Sequence, residues 1–407
     1  MRTRLQRVSL LAVEKETPMQ SQYREFREKL SPGTVLFFRL GDFYEVFGED
    51  AVVAAKVLGL TLTKRHETPM AGLPHHAAPA YVNRLLAAGW KVAICDQLEA
   101  PVAGKLVRRG LTRILTPGTA LEDSQLDSRR GNYLAAISWD KQGWHAAWLD
   151  VSTADFRLAT DASPARLLPL LHSVSPREII LLEGLEPPAE HREALEVFLL
   201  GRAVSRLPGW NFDGTGGARL VAQTLSVHGL AGFGLTEEHS ALGVAGAVLG
   251  YVTDSLCDRP KNLFRLIETK LGSSVLLDAA SSRNLELFTS SNGSREGSLL
   301  ETIDRTETPS GARLLALWLA EPSTNLATIA QRQNAVGEFF KHPGASSRVG
   351  EALRGVRDIA RILARLQNRL RNPRELGGVR DTLRSLPPIR EELLALPGGA
   401  LAEQAGR

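Results

Sequence analysis

Cysteine is scarce in this chain: 407 residues hold only Cys95 and Cys257, 162 positions apart. That argues against a disulfide framework and against a cysteine-rich metal site. Both thiols are expected to be buried as small hydrophobes, Cys95 within a strand. Long apolar runs are missing too, and nothing approaches the roughly 18 uninterrupted residues of a membrane span. The N-terminus carries Arg2, Arg4 and Arg7, then only Val8 to Val13 before Glu14. This run is short for a signal peptide and no clear small-residue cleavage site follows, so a cytoplasmic protein is expected. No large excess of one charge exists: the formal charge is +4. That value permits a nucleic-acid partner without requiring one.

What is present is an ordinary globular composition, 43% hydrophobic and 23% charged, on a chain too long for one core. The stretch Val35 to Phe47 (VLFFRLGDFYEVF) reads as a short strand over Val35–Phe38, a Gly41-Asp42 turn, and the start of a helix running through Ala51 to Leu60. Two readings of the turn compete. In one, Asp42 is an N-cap, Glu45 completes a capping box, and Phe43 and Phe47 pack as i,i+4 core partners. In the other, an exposed Phe43 wedges between stacked bases while the Glu45 carboxylate accepts a hydrogen bond from a base edge. On physical grounds alone the capping reading is the stronger.

Other blocks reverse that preference. Thr17-Pro18-Met19, Gly41-Asp42-Phe43-Tyr44-Glu45, Leu62-Thr63-Lys64-Arg65, Thr68-Pro69-Met70-Ala71-Gly72-Leu73-Pro74, Val92-Ala93-Ile94-Cys95-Asp96-Gln97 and Thr116-Pro117-Gly118-Thr119 occur in one order. In these blocks the chain resembles the MutS family of DNA mismatch repair proteins. Arg283-Asn284-Leu285-Glu286, the Pro309-x-Gly311-x-Arg313 block and Arg332-Gln333-x-Ala335-Val336 extend the resemblance over nearly the whole length. The resemblance implies that Phe43 stacks on a mispaired base and that Glu45 hydrogen-bonds it. Lys64, Arg65, Met70, His76, Lys105 and Arg108 are the residues expected along the DNA backbone. Lys105 to Arg113 holds four basic residues and no acid, which is either a solvated strand face or a phosphate-contacting one. His75 and His76 are too close in sequence to be a good metal pair, and are expected to shape the Pro-Gly loop near the DNA backbone.

The fold expected is multidomain α/β plus α. Residues 1–16 read as a disordered arm, 17–121 as a small α/β mismatch-recognition domain and 122–131 as a linker. A meander, then alternating helices and strands, over 132–240 is similar to the family's ribonuclease-H-like α/β connector domain. Residues 241–407 read as a truncated, mainly helical core or lever domain, opening with a small-residue helix (Gly243, Gly246, Gly250) that should pack closely. Val275 to Asp278 reads as a short strand. Asp140, Asp150, Asp155 and Asp161 fall at turns and strand ends and form no argued two-metal cluster. Arg354, Arg357, Arg361, Arg365 and Arg369 recur at helical spacing opposite Val356, Ile359, Leu363, Leu366 and Leu370. That pattern reads as a solvated or domain-packing stripe over a buried face.

No Gly-x-x-x-x-Gly-Lys-Ser/Thr phosphate loop occurs in the chain. It is therefore expected to be no enzyme and to hold no cofactor. ATP and magnesium are expected only of the complete family protein, with its clamp and ATPase. The partner implied is double-stranded DNA with mismatches or small loops. A homodimer and a downstream repair partner are implied for the full-length protein, and no membrane. A rival from another class is an interaction module that contacts repair partners and binds little DNA.

Overall fold

In a computed structural model of the protein, the structure describes residues 17–65, 67–100, 106–272, 274–368, 370, 372–397 and 401. The arm expected over residues 1–16, and Lys105, lie outside them. The chain divides into two compact units, one through Ile114 and one from Leu115, and each is described by itself.

The first unit is a sheet with helices on both faces. Helix α1 (Pro18–Glu28) starts on a reciprocal capping box between Thr17 and Gln20. Strands β1 (Thr34–Leu40), β2 (Phe43–Phe47), β3 (Thr63–Arg65), β4 (Thr68–Pro74), β5 (Lys91–Gln97) and β6 (Arg109–Leu115) pair in the order β3-β4-β2-β1-β5-β6. Helices α2 (Gly48–Leu58) and α3 (Ala78–Ala87) lie on one face of this sheet. There Val35, Phe37, Tyr44, Val46, Ala71 and Leu73 alternate inward and are buried. On the other face Tyr23 and Phe26 of α1 cover Leu36, Phe38, Ala93 and Cys95. Asp50 joins the layers: it accepts from the Leu36 amide at 3.0 Å and pairs with Arg27 at 3.1 Å. Its burial raises its carboxyl pKa, and these donors partly offset that cost.

This sheet corrects the capping reading. The residues after the Gly41-Asp42 turn are strand β2, and helix α2 begins only at Gly48, with Phe47 as an N-cap that makes no side-chain bond. Phe43 and Phe47 are not helical core partners, since one is exposed and the other buried. The block Thr68 to Pro74, rich in Pro and Gly, is likewise a strand rather than a loop. Arg109 is no phosphate contact: it is buried, bonded to the Arg39 carbonyl and Gln22, with its guanidinium 4.9 Å from the Phe38 ring centre.

The second unit contains another sheet. Strands β7 (Leu134–Asp140), β8 (Gly143–Asp150) and β9 (Asp155–Asp161) form the antiparallel meander. β10 (Glu178–Leu182) runs parallel to β7, β11 (Ala203–Leu207) parallel to β10, and β12 (Ile267–Glu268) parallel to β9. Helices α4 (Pro164–Val174) and α5 (Arg192–Leu199) cover one face, setting Leu167, Leu171 and Phe198 against Ile137, Trp148 and Ile179. Helices α6 (Gly214–Leu225) and α7 (Leu242–Leu256) cover the other, against Leu134, Leu149, Phe156 and Ile180. The expected close packing of α7 has a local cause: a Cβ on Gly246 would stand 2.5 Å from the Gly217 Cα of α6. Gly250, by contrast, faces open space. Because α7 packs on β7 and β8, it joins this sheet instead of opening a separate helical region at 241.

Among the described residues seven helices follow: α8 (Ala279–Asn284), α9 (Leu299–Ile303), α10 (Pro309–Ala320), α11 (Leu326–Lys341), α12 (Pro343–Leu353), α13 (Ile359–Gln367) and α14 (Pro373–Leu394). Val275 to Asp278 forms no strand; only an isolated bridge between Ser274 and Ser323 lies there. Cys257 is exposed at the end of α7, whereas Cys95 is buried in β5 as expected.

The arginine stripe divides between its two readings: Arg354 and Arg357 are solvated, Arg361 and Arg365 pack inward, and Arg369 lies outside the described residues. The run is broken between α12 and α13, Arg361 and Arg365 are buried, and Leu363 is exposed. Their partners lie in the segment read as a linker. Arg361 donates to the carbonyls of Asp127 (2.9 Å) and Arg130 (2.6 Å), and Arg313 donates to that of Ser128 (2.8 Å). Arg365 pairs with Asp123 and Glu375. Residues 122–131 are thereby strapped to the helices. The cost of burying these guanidinium groups is offset by the carbonyls and carboxylates they meet, although Arg361 Nε is buried without a hydrogen-bond partner.

Candidate nucleic-acid interface

β1 and β2 form a hairpin in which Leu40 pairs with Phe43 across Gly41-Asp42. Gly41 takes φ +59°, a conformation a two-residue hairpin requires at its first position and a Cβ disfavours. Both turn carbonyls are held: Arg39 Nε donates to that of Gly41, and the His75 amide donates to that of Asp42 at 2.9 Å. His75 Nδ1 lies 3.2 Å from the same Asp42 oxygen. Thus His75 braces the Gly41-Asp42 turn beside Phe43, a contact the sequence reading did not foresee.

From this fixed turn the strand alternation separates neighbours. Tyr44 turns inward, 7% exposed, and donates to Asp96 at 2.7 Å. Phe43 turns the other way and is 49% exposed, with Pro74 opposite it on β4. Glu45 follows on the same face as Phe43 and stands opposite Gly72, which has no side chain. Arg65 on edge strand β3 reaches Glu45: Nη1 lies 2.7 Å from Oε2. Helix α1 covers this face over β1 and β5 and reaches Phe47 on β2.

The remaining expected residues distribute as follows. Met70 is half-buried, paired with Phe47 on one side and Thr63 on the other, on the same face as Glu45. Lys64 is exposed but alternates to the opposite side of β3 from Arg65, 3.8 Å from Glu67. His76 is exposed in the short turn after β4. Arg108 is exposed, with its amide donating to Glu99 at 2.8 Å. The structure therefore brings Phe43, Glu45, Arg65 and Met70 together on one face and leaves Lys64 off it. Sequence reading missed Arg39 and Gly72; the regular alternation of Phe43 to Phe47 was the signal that could have shown β2.

The aspartates singled out in the second unit bond neighbouring amides and side chains. Asp150 accepts from the Asn132 and Ser152 amides, Asp155 from Tyr133 and Arg157, and Asp161 from the Ser163 amide. Among the described residues no three His, Cys, Asp or Glu side chains converge on a point that could hold a metal ion. Among the same residues no helix is long and apolar enough to cross a membrane.

Three family models match the chain in succession: MutS domain I over residues 17–124, MutS domain II over 132–263 and MutS domain III over 280–405. The chain belongs to the MutS family. Its curated relatives include proteins named DNA mismatch repair protein MutS. The one from Myxococcus xanthus is 39% identical over 379 residues, which cover 92% of this chain and 42% of the relative. The one from Chlorobaculum tepidum is 38% identical over 389 residues, covering 93% and 44%. The one from Syntrophobacter fumaroxidans is 38% identical over 403 residues, covering 97% and 45%. The chain thus spans less than half the length of these relatives.

Proposed function

We propose that this chain binds mismatched DNA in mismatch repair, with Phe43 as the wedge and Glu45 as the base-edge acceptor. The observation that carries this reading is the half-exposed Phe43 ring, held at the mouth of a turn whose two carbonyls are tied down. A large ring left in water beside a buried Tyr44 contributes little to the core, and its pre-set position suits insertion into a base step. A mispaired step costs less to unstack than a paired one, so kinking selects mismatches before any base is read. Glu45 on the same face then offers a carboxylate oxygen to the base.

Lys64, Arg108 and His76 supply the backbone contacts in this reading, with Met70 packing against the sugar edge. The order β9-β8-β7-β10-β11, three antiparallel strands followed by two parallel ones, supports a ribonuclease-H-like connector role for the second sheet. Nucleotide and magnesium binding, the homodimer and the downstream repair partner are proposed for the complete family protein, and no residue of this site is assigned to them.

The test is binding of the 407-residue chain to a duplex with one G·T mismatch and to its matched counterpart, across a salt titration. Tighter binding to the mismatched duplex at every salt concentration is expected. Equal affinities would favour an interaction module instead.

A further inference from the structure

We infer that Arg65 is the positioning residue of the mismatch reader: it holds the Glu45 carboxylate in place and makes its charge acceptable beside DNA. This role rests on the mismatch reading of Phe43 and Glu45. A glutamate on an exposed face has three rotatable bonds and, unrestrained, spreads its carboxylate over many positions. It also carries negative charge towards a polyanion. Arg65 answers both difficulties. Its Nη1 fixes Oε2 at 2.7 Å, and among the described residues it is Glu45's partner, which leaves Oε1 for a base edge. The guanidinium is a planar fork, so the edge not turned to Glu45 remains available to a phosphate.

The local fold makes this pairing possible. Glu45 on β2 and Arg65 on β3 are separated by strand β4, and the β4 residue opposite Glu45 is Gly72. Arg65 pairs with Thr68 and so approaches Glu45 on a diagonal across β4. The Glu45 side chain is the less exposed of the two, 19% against 43% for Arg65. A pair this accessible adds little to folding stability, which points to orientation as its purpose. Lys64 faces the other way and has no such geometry.

The test is a double-substitution cycle in the full chain, reading the ratio of mismatched to matched affinity on the same duplexes. Arg65→Met, which keeps the stem and removes the charge, should lower this ratio roughly tenfold, the scale of one charge-assisted hydrogen bond. In a Glu45→Gln background it should change the ratio no further. Arg65→Lys should restore a substantial part of the ratio, and the melting temperature should stay level throughout. An Arg65→Met effect that weakens both duplexes by one factor, in both backgrounds, would make Arg65 a plain phosphate contact and overturn the inference. A wild-type ratio in Phe43→Ala would instead remove the mismatch reading itself, and the positioning role with it.

Discussion

Phe43 and Tyr44 are adjacent in sequence yet point to opposite faces of one sheet, the first 49% exposed and the second 7%. Their substitutions should therefore separate function from folding. Phe43→Ala should cost little stability but remove about 1–3 kcal/mol of base stacking from mismatched-duplex binding. Tyr44→Phe should do the reverse. It strands Asp96 of one donor and should cost about 1 kcal/mol of folding stability, with the mismatch ratio kept. Denaturant melts and binding isotherms on the same samples check both expectations.

Lys64 and Arg108 are exposed and should act through phosphate alone. Alanine at either position should weaken matched and mismatched binding by the same factor. Each should also reduce the slope of log affinity against log salt by about one unit. A selective loss of mismatch preference at either residue would make it a base reader.

Acid should loosen the second unit through Asp304. Its side chain is buried and accepts from Arg129 at 2.7 Å, Arg295 at 2.6 Å and the Thr306 hydroxyl at 2.7 Å. Burial alone would raise its pKa, but the hydrogen bonds from Arg129 and Thr306 reverse that and bring it from 3.8 to about 2. The folded state thus binds this proton more weakly than the unfolded one. The stabilisation is complete above the ordinary carboxylate value and fades as pH falls towards about 2. Denaturation profiles against pH should show this acid limb, and Asp304→Asn should flatten it.

The strap over residues 122–131 gives a proteolytic prediction. Arg361→Met leaves the Asp127 and Arg130 carbonyls without their donor, a cost of about 1–3 kcal/mol. Limited trypsin digestion should then cut after Arg129 or Arg130 faster than in the parent, as fragment masses would show. Unchanged cleavage at these bonds would mean that Arg361 does not hold the segment.

How much of this was legible varies with the range of the interactions. The meander β7–β9 and the small-residue helix α7 follow from local periodicity and turn residues, and they stand where the sequence placed them. β2 was obscured because Asp42 and Glu45 have the spacing of a capping box, while the pairing that makes it a strand comes from β1 and β4. β4 was obscured by Pro69, Gly72 and Pro74, which read locally as a loop. The buried arginines were least legible: Arg361 bonds carbonyls more than 230 positions away, a relationship no helical period contains. At the site, Phe43 and Glu45 were found by motif, but their shared face, the Gly72 opposite Glu45 and the Arg65 pairing required the sheet register.

Mismatch preference in this reading depends on the ring of Phe43. The most direct measurement compares the full chain with Phe43→Ala for binding to a G·T-mismatched duplex and its matched counterpart, after confirming equal melting temperatures. The parent should prefer the mismatched duplex, and Phe43→Ala should lose that preference while keeping its affinity for matched DNA. An unchanged preference in a stably folded Phe43→Ala chain would contradict this reading.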